Sequence, residues 1–170
     1  MTLKFLGSIL STGLLLVATT WAASPAAMNT RTIAHGRHLV DITGCNVCHT
    51  PGYAAGNGSA PKAALLTGLG NVYVGPWGTS YPINLRLFVR PLTVQQWIAL
   101  VRNTKAAPPM PWFVFRKFSD YDLASMYYYI RWLGPAGKPT PADLPPGKLP
   151  APPYDQVVIA APRAAAVTRH

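Results

Sequence analysis

The stretch Cys45-Asn46-Val47-Cys48-His49, or CNVCH, contains the only two cysteines of the 170-residue chain and places a histidine directly after the second one. Three kinds of chemistry use two thiols at this spacing: a redox-active disulfide, one half of a zinc site, and covalent attachment of haem. Each of them makes a different demand on the rest of the chain, so the surrounding sequence decides between them.

The disulfide and the zinc site find little support elsewhere in the chain. A redox pair of the thioredoxin type needs alternating strands and helices, and the sequence shows no such alternation. Tetrahedral zinc needs four ligands, commonly from two paired motifs. The chain has no second cysteine pair, and its remaining histidines are scattered, namely His35, His38 and His170.

Haem attachment fits the motif by stereochemistry. Two thiols three residues apart, on a turn that enters a helix, reach both vinyl groups of one porphyrin, and the next residue then projects its imidazole under the iron. We therefore predict one covalent haem c, with Cys45 and Cys48 as the thioether residues and His49 as the proximal axial ligand. The second imidazole nitrogen needs a backbone acceptor to fix its orientation, and the carbonyls of Pro51 and Pro61 are candidates.

The N-terminus indicates export, which agrees with haem attachment outside the cytoplasm. Lys4 precedes the apolar run FLGSILSTGLLLVATTW, and small residues follow at 22–24. This is the pattern of a secretory signal peptide, and the run is shorter than the roughly 20 residues of a spanning helix. We predict that residues 1–23 are cleaved and that the mature protein is periplasmic, without a membrane span. An uncleaved anchor is the alternative.

The chain is strongly basic, which bears on its partners. Fifteen Lys and Arg residues stand against five Asp and no Glu, and loss of Lys4 with the signal peptide leaves 14 − 5 = +9. Export and the scattered positive residues argue against nucleic acid. We predict redox protein partners with an acidic docking surface, toward which the positive charge would steer the protein. A basic surface that serves solubility alone is the alternative.

Helical segments flank the motif and close the domain. Residues 29–44 are predicted as a helix that leads into CNVCH. A Thr93-x-x-Gln96 capping box opens the helix TVQQWIALVRNTK, and Ser119 caps SDYDLASMYYYIRWLG, whose apolar residues recur at helical spacing. The stretch 50–92 is rich in Gly, Pro, Asn and Ser and is predicted as a long ordered loop, a length that indicates a large ligand.

Met110 is the candidate for the sixth iron ligand. It lies between Pro108-Pro109 and Pro111, on a loop whose torsions are restricted, and an axial thioether raises the haem potential relative to bis-histidine ligation. Packing in the core beside Trp112 and Phe113 is the alternative for this side chain, and His35 or His38 are alternative ligands. The other methionines lie in the signal peptide, beside the new terminus and in the last apolar stripe: Met1, Met28 and Met126.

These segments together resemble class I c-type cytochromes. The resemblance covers residues 33–134 and rests on HGRHLVDITGCNVCHT, PPMPWF and SDYDLASMYYYIRWL. It implies an all-α cytochrome domain over residues 29–134, with long Gly/Pro-rich loops around one haem, and a Pro-rich extension over 135–170. It also implies that Gly36 lets the last helix approach closely, beside Tyr129 or Trp132, and that His49 and Met110 are the axial ligands.

Two further stretches, GPWGTSYPINLR and LGPAGKPTPADLPPG, are similar to cytochrome subunits that accompany periplasmic dehydrogenases. In that resemblance four residues lie near the haem propionates: Tyr81, Asn84, Arg86 and Trp97. An arginine pairs well with carboxylates, whereas ordinary helix packing is an alternative for Trp97. The proline-rich tail is expected to be extended, either lying along the domain surface or serving as a docking arm.

A haem iron bound on both sides has no open position for a substrate, so the predicted function is one-electron transfer and not catalysis. The expected partners are a dehydrogenase, a terminal oxidase or another cytochrome. A fixed electron-accepting subunit of a dehydrogenase complex is one alternative. A haem enzyme or ligand sensor with an open sixth site is another.

Overall fold

The computed structural model describes residues 28–156. The predicted signal peptide and the end of the tail, 157–170, lie outside the described residues. The elements follow in the order α1 Thr30–Ile42, α2 Cys45–His49, β1 Tyr73–Gly75, β2 Gly78–Ser80, α3 Leu85–Phe88, α4 Val94–Asn103, α5 Trp112–Phe115, α6 Asp120–Leu133 and β3 Asp155–Gln156. Within residues 28–156, no helix has the length and apolar character needed to cross a bilayer.

The crossing of α1 over α6 organises the helices, and Gly36 makes it possible. A Cβ atom built on Gly36 would lie 1.9 Å from the carbonyl oxygen of Ser125. Only a glycine allows this approach, because any larger side chain would push the two helices apart. Gly36 therefore meets the backbone of Ser125, and not Tyr129 or Trp132, which lie one and two turns farther along α6.

Capping side chains begin the three long helices, and those of α4 and α6 are the predicted ones. The Asn29 side chain accepts a hydrogen bond from the Thr32 amide at 3.0 Å. The pairs Thr93–Gln96 and Ser119–Asp122 bond reciprocally and begin α4 and α6. These bonds satisfy amide groups that the first helical turn leaves without a partner, which explains why the helices begin at these residues.

The apolar stripe of α6 forms the centre of the core. Leu123 and Ile130 are essentially inaccessible to solvent, and Val40 of α1 packs with them. Trp97 of α4 joins the same cluster, and its indole Nε1–H donates to the carbonyl of Leu123 at 2.9 Å. This polar link offsets the cost of burying an indole N–H and fixes α4 against α6.

A small sheet adds to the predicted helices. Strands β1 and β2 form an antiparallel hairpin, and β3 pairs in parallel with β1, in the order β2-β1-β3. The sequence predicted only loop here, because strands of two or three residues are too short to show an alternating pattern. Helix α5 follows the Met110 loop and precedes α6.

The described part of the proline-rich tail, residues 135–156, lies along the domain surface. Thr79 of β2 and Leu144 exchange two backbone hydrogen bonds of 2.9 and 3.1 Å. Gly78 makes room for this segment, because a Cβ there would lie 2.1 Å from the carbonyl oxygen of Leu144. Strand β3 ends the described segment against β1, so this part of the tail is an integral part of the fold.

Candidate functional site

A large apolar cavity lies beside CNVCH. Its volume is about 370 Å³, within the range of roughly 300–1,000 Å³ typical of small-molecule and cofactor sites. Its walls come from helices α1 to α6 and from two loop stretches, 80–83 and 104–111. The aliphatic and aromatic lining includes Val40, Leu85, Phe88, Trp97, Leu100, Val101, Phe115, Leu123, Met126 and Ile130.

Both cysteines line this cavity as free thiols. The turn into α2 uses Gly44 in the left-handed region, at φ +71°, which glycine adopts without steric cost. The Cys45 sulfur lies 3.3 Å from the Thr43 hydroxyl, and the Cys48 sulfur lies 3.4 Å from the Tyr73 hydroxyl. Burial raises the pKa of the Cys45 thiol. Burial, assisted by the bond to Cys48, raises the pKa of Tyr73 to about 12.

His49 also lines the cavity. One of its ring nitrogens is hydrogen-bonded, and the other points to no hydrogen-bond partner in the described residues. Its Nδ1 lies 2.8 Å from the carbonyl oxygen of Ile83, so Nδ1 carries the proton and donates. Burial lowers the pKa of His49, against the opposing effect of the Ile83 bond, which favours the neutral ring. Nε2 has no hydrogen-bond partner within residues 28–156, and a neutral imidazole with one free nitrogen suits metal ligation.

Ile83 replaces the acceptors expected from the sequence. The carbonyls of Pro51 and Pro61 were the candidates, and nothing in the sequence selected between them. The fold instead brings Ile83 to the ring from 34 positions away. Local spacing carries no information on a contact of this range, so no signal in the sequence singled it out.

Met110 lines the cavity together with Cys45, Cys48 and His49. Met110 is 36% exposed as a residue, so it lies at the edge of the cavity and is not a buried filler of the core. The Met110 loop is anchored on strand β2, where the Ser80 hydroxyl donates to the Pro108 carbonyl at 2.7 Å. The indole N–H of Trp77 donates in turn to that hydroxyl at 2.9 Å.

Two of the four residues expected near the propionates line the cavity, namely Tyr81 and Trp97. Asn84 and Arg86 are not among the residues that line the cavity, and both bind backbone carbonyls. The side-chain amide of Asn84 donates through Nδ2 to the carbonyls of Ala136 and Lys138 at 2.8 and 3.1 Å.

Arg86 is buried, and its guanidinium donates hydrogen bonds to backbone carbonyls. It donates to Leu133 and Gly134 at the end of α6, and to carbonyls in the stretch 62–65. The last turn of a helix leaves carbonyls without partners and attracts positive charge. Arg86 therefore closes the C-terminus of α6.

The tail supplies a cavity residue that sequence analysis missed. Asp143 lines the cavity, and its Oδ1 accepts a hydrogen bond from the Tyr81 amide at 2.9 Å.

The alternative ligands His35 and His38 do not line the cavity. His35 Nε2 lies 2.7 Å from the Asp122 carboxylate, and His38 is exposed on α1.

The residues around the cavity fit a haem of the c type. Two free thiols are available for the porphyrin vinyl groups, and an imidazole nitrogen and a thioether sulfur are available for iron. The apolar walls suit the faces of a porphyrin ring. Within residues 28–156, no three His, Cys or acidic side chains gather into another metal-binding group.

Comparison with known proteins finds a distant relationship. The chain is similar to the fructose dehydrogenase cytochrome subunit of Gluconobacter japonicus, with 28% identity over 135 residues. The match covers 76% of this chain and 26% of the relative, so the chain spans about a quarter of that protein's length. No protein-family model and no solved structure matches the chain. The printed name of that relative describes the cytochrome subunit of a dehydrogenase.

Proposed function

We propose that the protein is a periplasmic one-electron carrier that holds a single covalent haem c in this cavity. The observation that carries the proposal is the convergence of Cys45, Cys48, His49 and Met110 on the walls of one apolar cavity. The first three are neighbours in sequence, but Met110 lies beyond α4 and reaches the cavity only through the fold. Two thiols, an imidazole and a thioether have no evident use around a cavity that has no ligand to bind.

The proposed roles follow from these positions. Cys45 and Cys48 would hold the haem through thioether bonds, and His49 Nε2 and Met110 Sδ would bind its iron. The haem supplies reversible one-electron chemistry when bound. The Ile83 carbonyl orients His49, and the apolar walls keep water away. The proposed architecture is a class I cytochrome c fold, extended by the small sheet and by the packed proline-rich segment.

A second candidate is an electron-accepting subunit of a periplasmic dehydrogenase. It is favoured by the relative, which is itself named as a dehydrogenase cytochrome subunit. A formal charge of +10 for the whole chain suits a partner with an acidic docking surface. Co-purification of the chain with a larger oxidoreductase from its native source would favour this role. A monomeric protein that exchanges electrons with several acceptors would favour a free carrier.

The experiment for the proposed function is a count of covalent haem and electrons per chain. The protein is produced with a haem-maturation system, denatured and analysed by intact mass, and its folded form is titrated with reductant. We expect the mass of one haem and one electron per chain. Cys45→Ala and Cys48→Ala should each remove one thioether bond, and the double variant should release the haem on denaturation. A chain that matures without covalent haem would overturn the proposal.

A further inference from the structure

One peptide group beside His49 is hydrogen-bonded at both of its polar ends. The carbonyl oxygen of Ile83 accepts from His49 Nδ1 at 2.8 Å. The amide N–H of Asn84 belongs to the same planar peptide unit and donates to the Thr140 hydroxyl at 2.8 Å. Thr140 lies in the proline-rich segment 135–156, to which the proposed function assigns no role.

We propose that Thr140 is a positioning residue for His49 and acts through the Ile83–Asn84 peptide. The inference rests on the proposed function, in which His49 binds iron. A peptide whose N–H is bonded has a more strongly polarised carbonyl, because hydrogen bonds in a chain reinforce one another. The Ile83 oxygen then draws the Nδ1 proton more strongly, which makes Nε2 a more electron-rich ligand. The same bonds hold the peptide plane, and with it the plane of the imidazole.

The surroundings of Thr140 are built for this contact. A Cβ on Gly68 would lie 2.8 Å from both the Thr140 hydroxyl and the Asn84 nitrogen, and Gly68 adopts φ +85°. The Asn84 side chain holds the segment in place through the Ala136 and Lys138 carbonyls. Gly68 also donates its own amide to the His49 carbonyl at 2.8 Å. The proline-rich segment and the histidine therefore meet at one small, fully bonded junction.

The test compares three variants of the haem-loaded protein. Thr140→Val removes the hydroxyl at nearly constant shape, and Thr140→Ser keeps it. Thr79→Val is the matched control, because the Thr79 hydroxyl also binds the segment, at the Lys148 carbonyl 3.0 Å away, but does not contact the Ile83–Asn84 peptide. The readouts are the midpoint potential and, by NMR of the reduced protein, the exchange rates of the His49 Nδ1–H and Asn84 N–H protons.

We expect Thr140→Val to shift the midpoint potential upward, because a less electron-rich imidazole stabilises ferric iron less. We also expect faster exchange of both protons. Thr140→Ser should stay close to the wild type, and Thr79→Val should lower stability without moving either readout. Should the valine variant fail to fold, Thr140→Ala removes the same hydroxyl without adding a methyl group and is measured in its place.

Two outcomes would overturn the inference alone. One is an equal shift in the Thr140→Val and Thr79→Val variants, which would mean that the segment acts only through general stability. The other is an equal shift in Thr140→Ser and Thr140→Val. A wild-type protein that lacks covalent haem or histidine ligation would instead overturn the proposed function together with this inference, and its spectrum shows this before any variant is made.

Discussion

The Ser80 hydroxyl donates a 2.7 Å hydrogen bond to the carbonyl oxygen of Pro108, two residues before Met110. The contact ties the loop that carries the proposed distal ligand to strand β2. Trp77 completes the anchor by donating to the same hydroxyl. A thioether is a weak ligand, so its hold on iron depends on a loop that keeps it in position.

Removal of this anchor should loosen Met110. Ser80→Ala deletes an acceptor and a donor, each worth about 1 kcal/mol net, and leaves the Trp77 indole N–H without its partner. We expect faster carbon monoxide binding by the reduced protein than in the wild type. Ser59→Ala changes an exposed serine elsewhere in the chain and should bind carbon monoxide at the wild-type rate. Equal rates in all three proteins would show that the anchor does not control Met110.

Gly36 should be among the least replaceable residues outside the cavity. Gly36→Ala would place a methyl group 1.9 Å from the Ser125 carbonyl oxygen and force α1 away from α6. We expect a loss of unfolding free energy of roughly 1–3 kcal/mol or more, measured by urea denaturation. Arg37→Ala, next to it on the exposed side, loses only a surface ion pair with Asp41 and should cost less than about 1 kcal/mol.

Stability should decline at acid pH through Asp122. Burial acts to raise the pKa of this carboxyl, but hydrogen bonds from His35 and Ser119 prevail and hold it below its ordinary value of 3.8. A depressed folded-state pKa contributes stability above the unfolded-state value, and that stability is lost as the pH falls through the folded-state value. The loss is therefore expected below about pH 3.8.

The measurement for Asp122 is urea unfolding as a function of pH. Asp122→Asn should lower the unfolding free energy by about 1 kcal/mol near neutral pH, and the difference from wild type should shrink below pH 3.8. Asp120→Asn is the control, because the Asp120 side chain is 73% exposed in its pair with Arg102. A gap between wild type and Asp122→Asn that stays constant down to pH 2 would contradict the assignment.

Arg86 should matter for folding and not for the electrostatics of the haem. Arg86→Gln leaves several buried carbonyls short of donors, so we expect a loss of roughly 2–4 kcal/mol in unfolding free energy. The pH dependence of the midpoint potential should stay as in the wild type, because Arg86 does not line the cavity. A changed pH dependence of the midpoint potential with an unchanged unfolding free energy would instead indicate that Arg86 interacts with the haem propionates.

Local patterns made the long helices and the attachment motif predictable. The capping residues of α4 and α6 lie within one turn of the bonds they make, and CNVCH lies within five consecutive residues. Glycine at position 36 was informative for a similar reason, because a close helix crossing leaves little choice of residue. Its contact with Ser125, however, depends on the position of α6 along α1, which no local pattern reports.

Contacts between distant segments could not be predicted from the sequence. The Ile83 carbonyl reaches His49 from 34 positions away. The Asp143 side chain and the Thr140 hydroxyl reach the site because the segment 135–156 packs on the domain. Asn84 and Arg86 have the chemistry expected beside propionates, yet the fold uses them to bind backbone carbonyls. The residue types of Asn84 and Arg86 therefore indicated which groups they are able to bind. The packing of the fold decided which of these groups they bind.

The most direct test of the account is the optical spectrum of the ferric protein with its two cavity methionines replaced in turn. Met110→Leu and Met126→Leu make the same change, and both residues line the cavity. We predict that the weak far-red band of ferric iron bound to methionine sulfur is present in wild type and Met126→Leu and absent in Met110→Leu. We also predict that reduced Met110→Leu binds carbon monoxide at once. A band that survives in Met110→Leu, or rapid carbon monoxide binding by the wild type, would contradict the account.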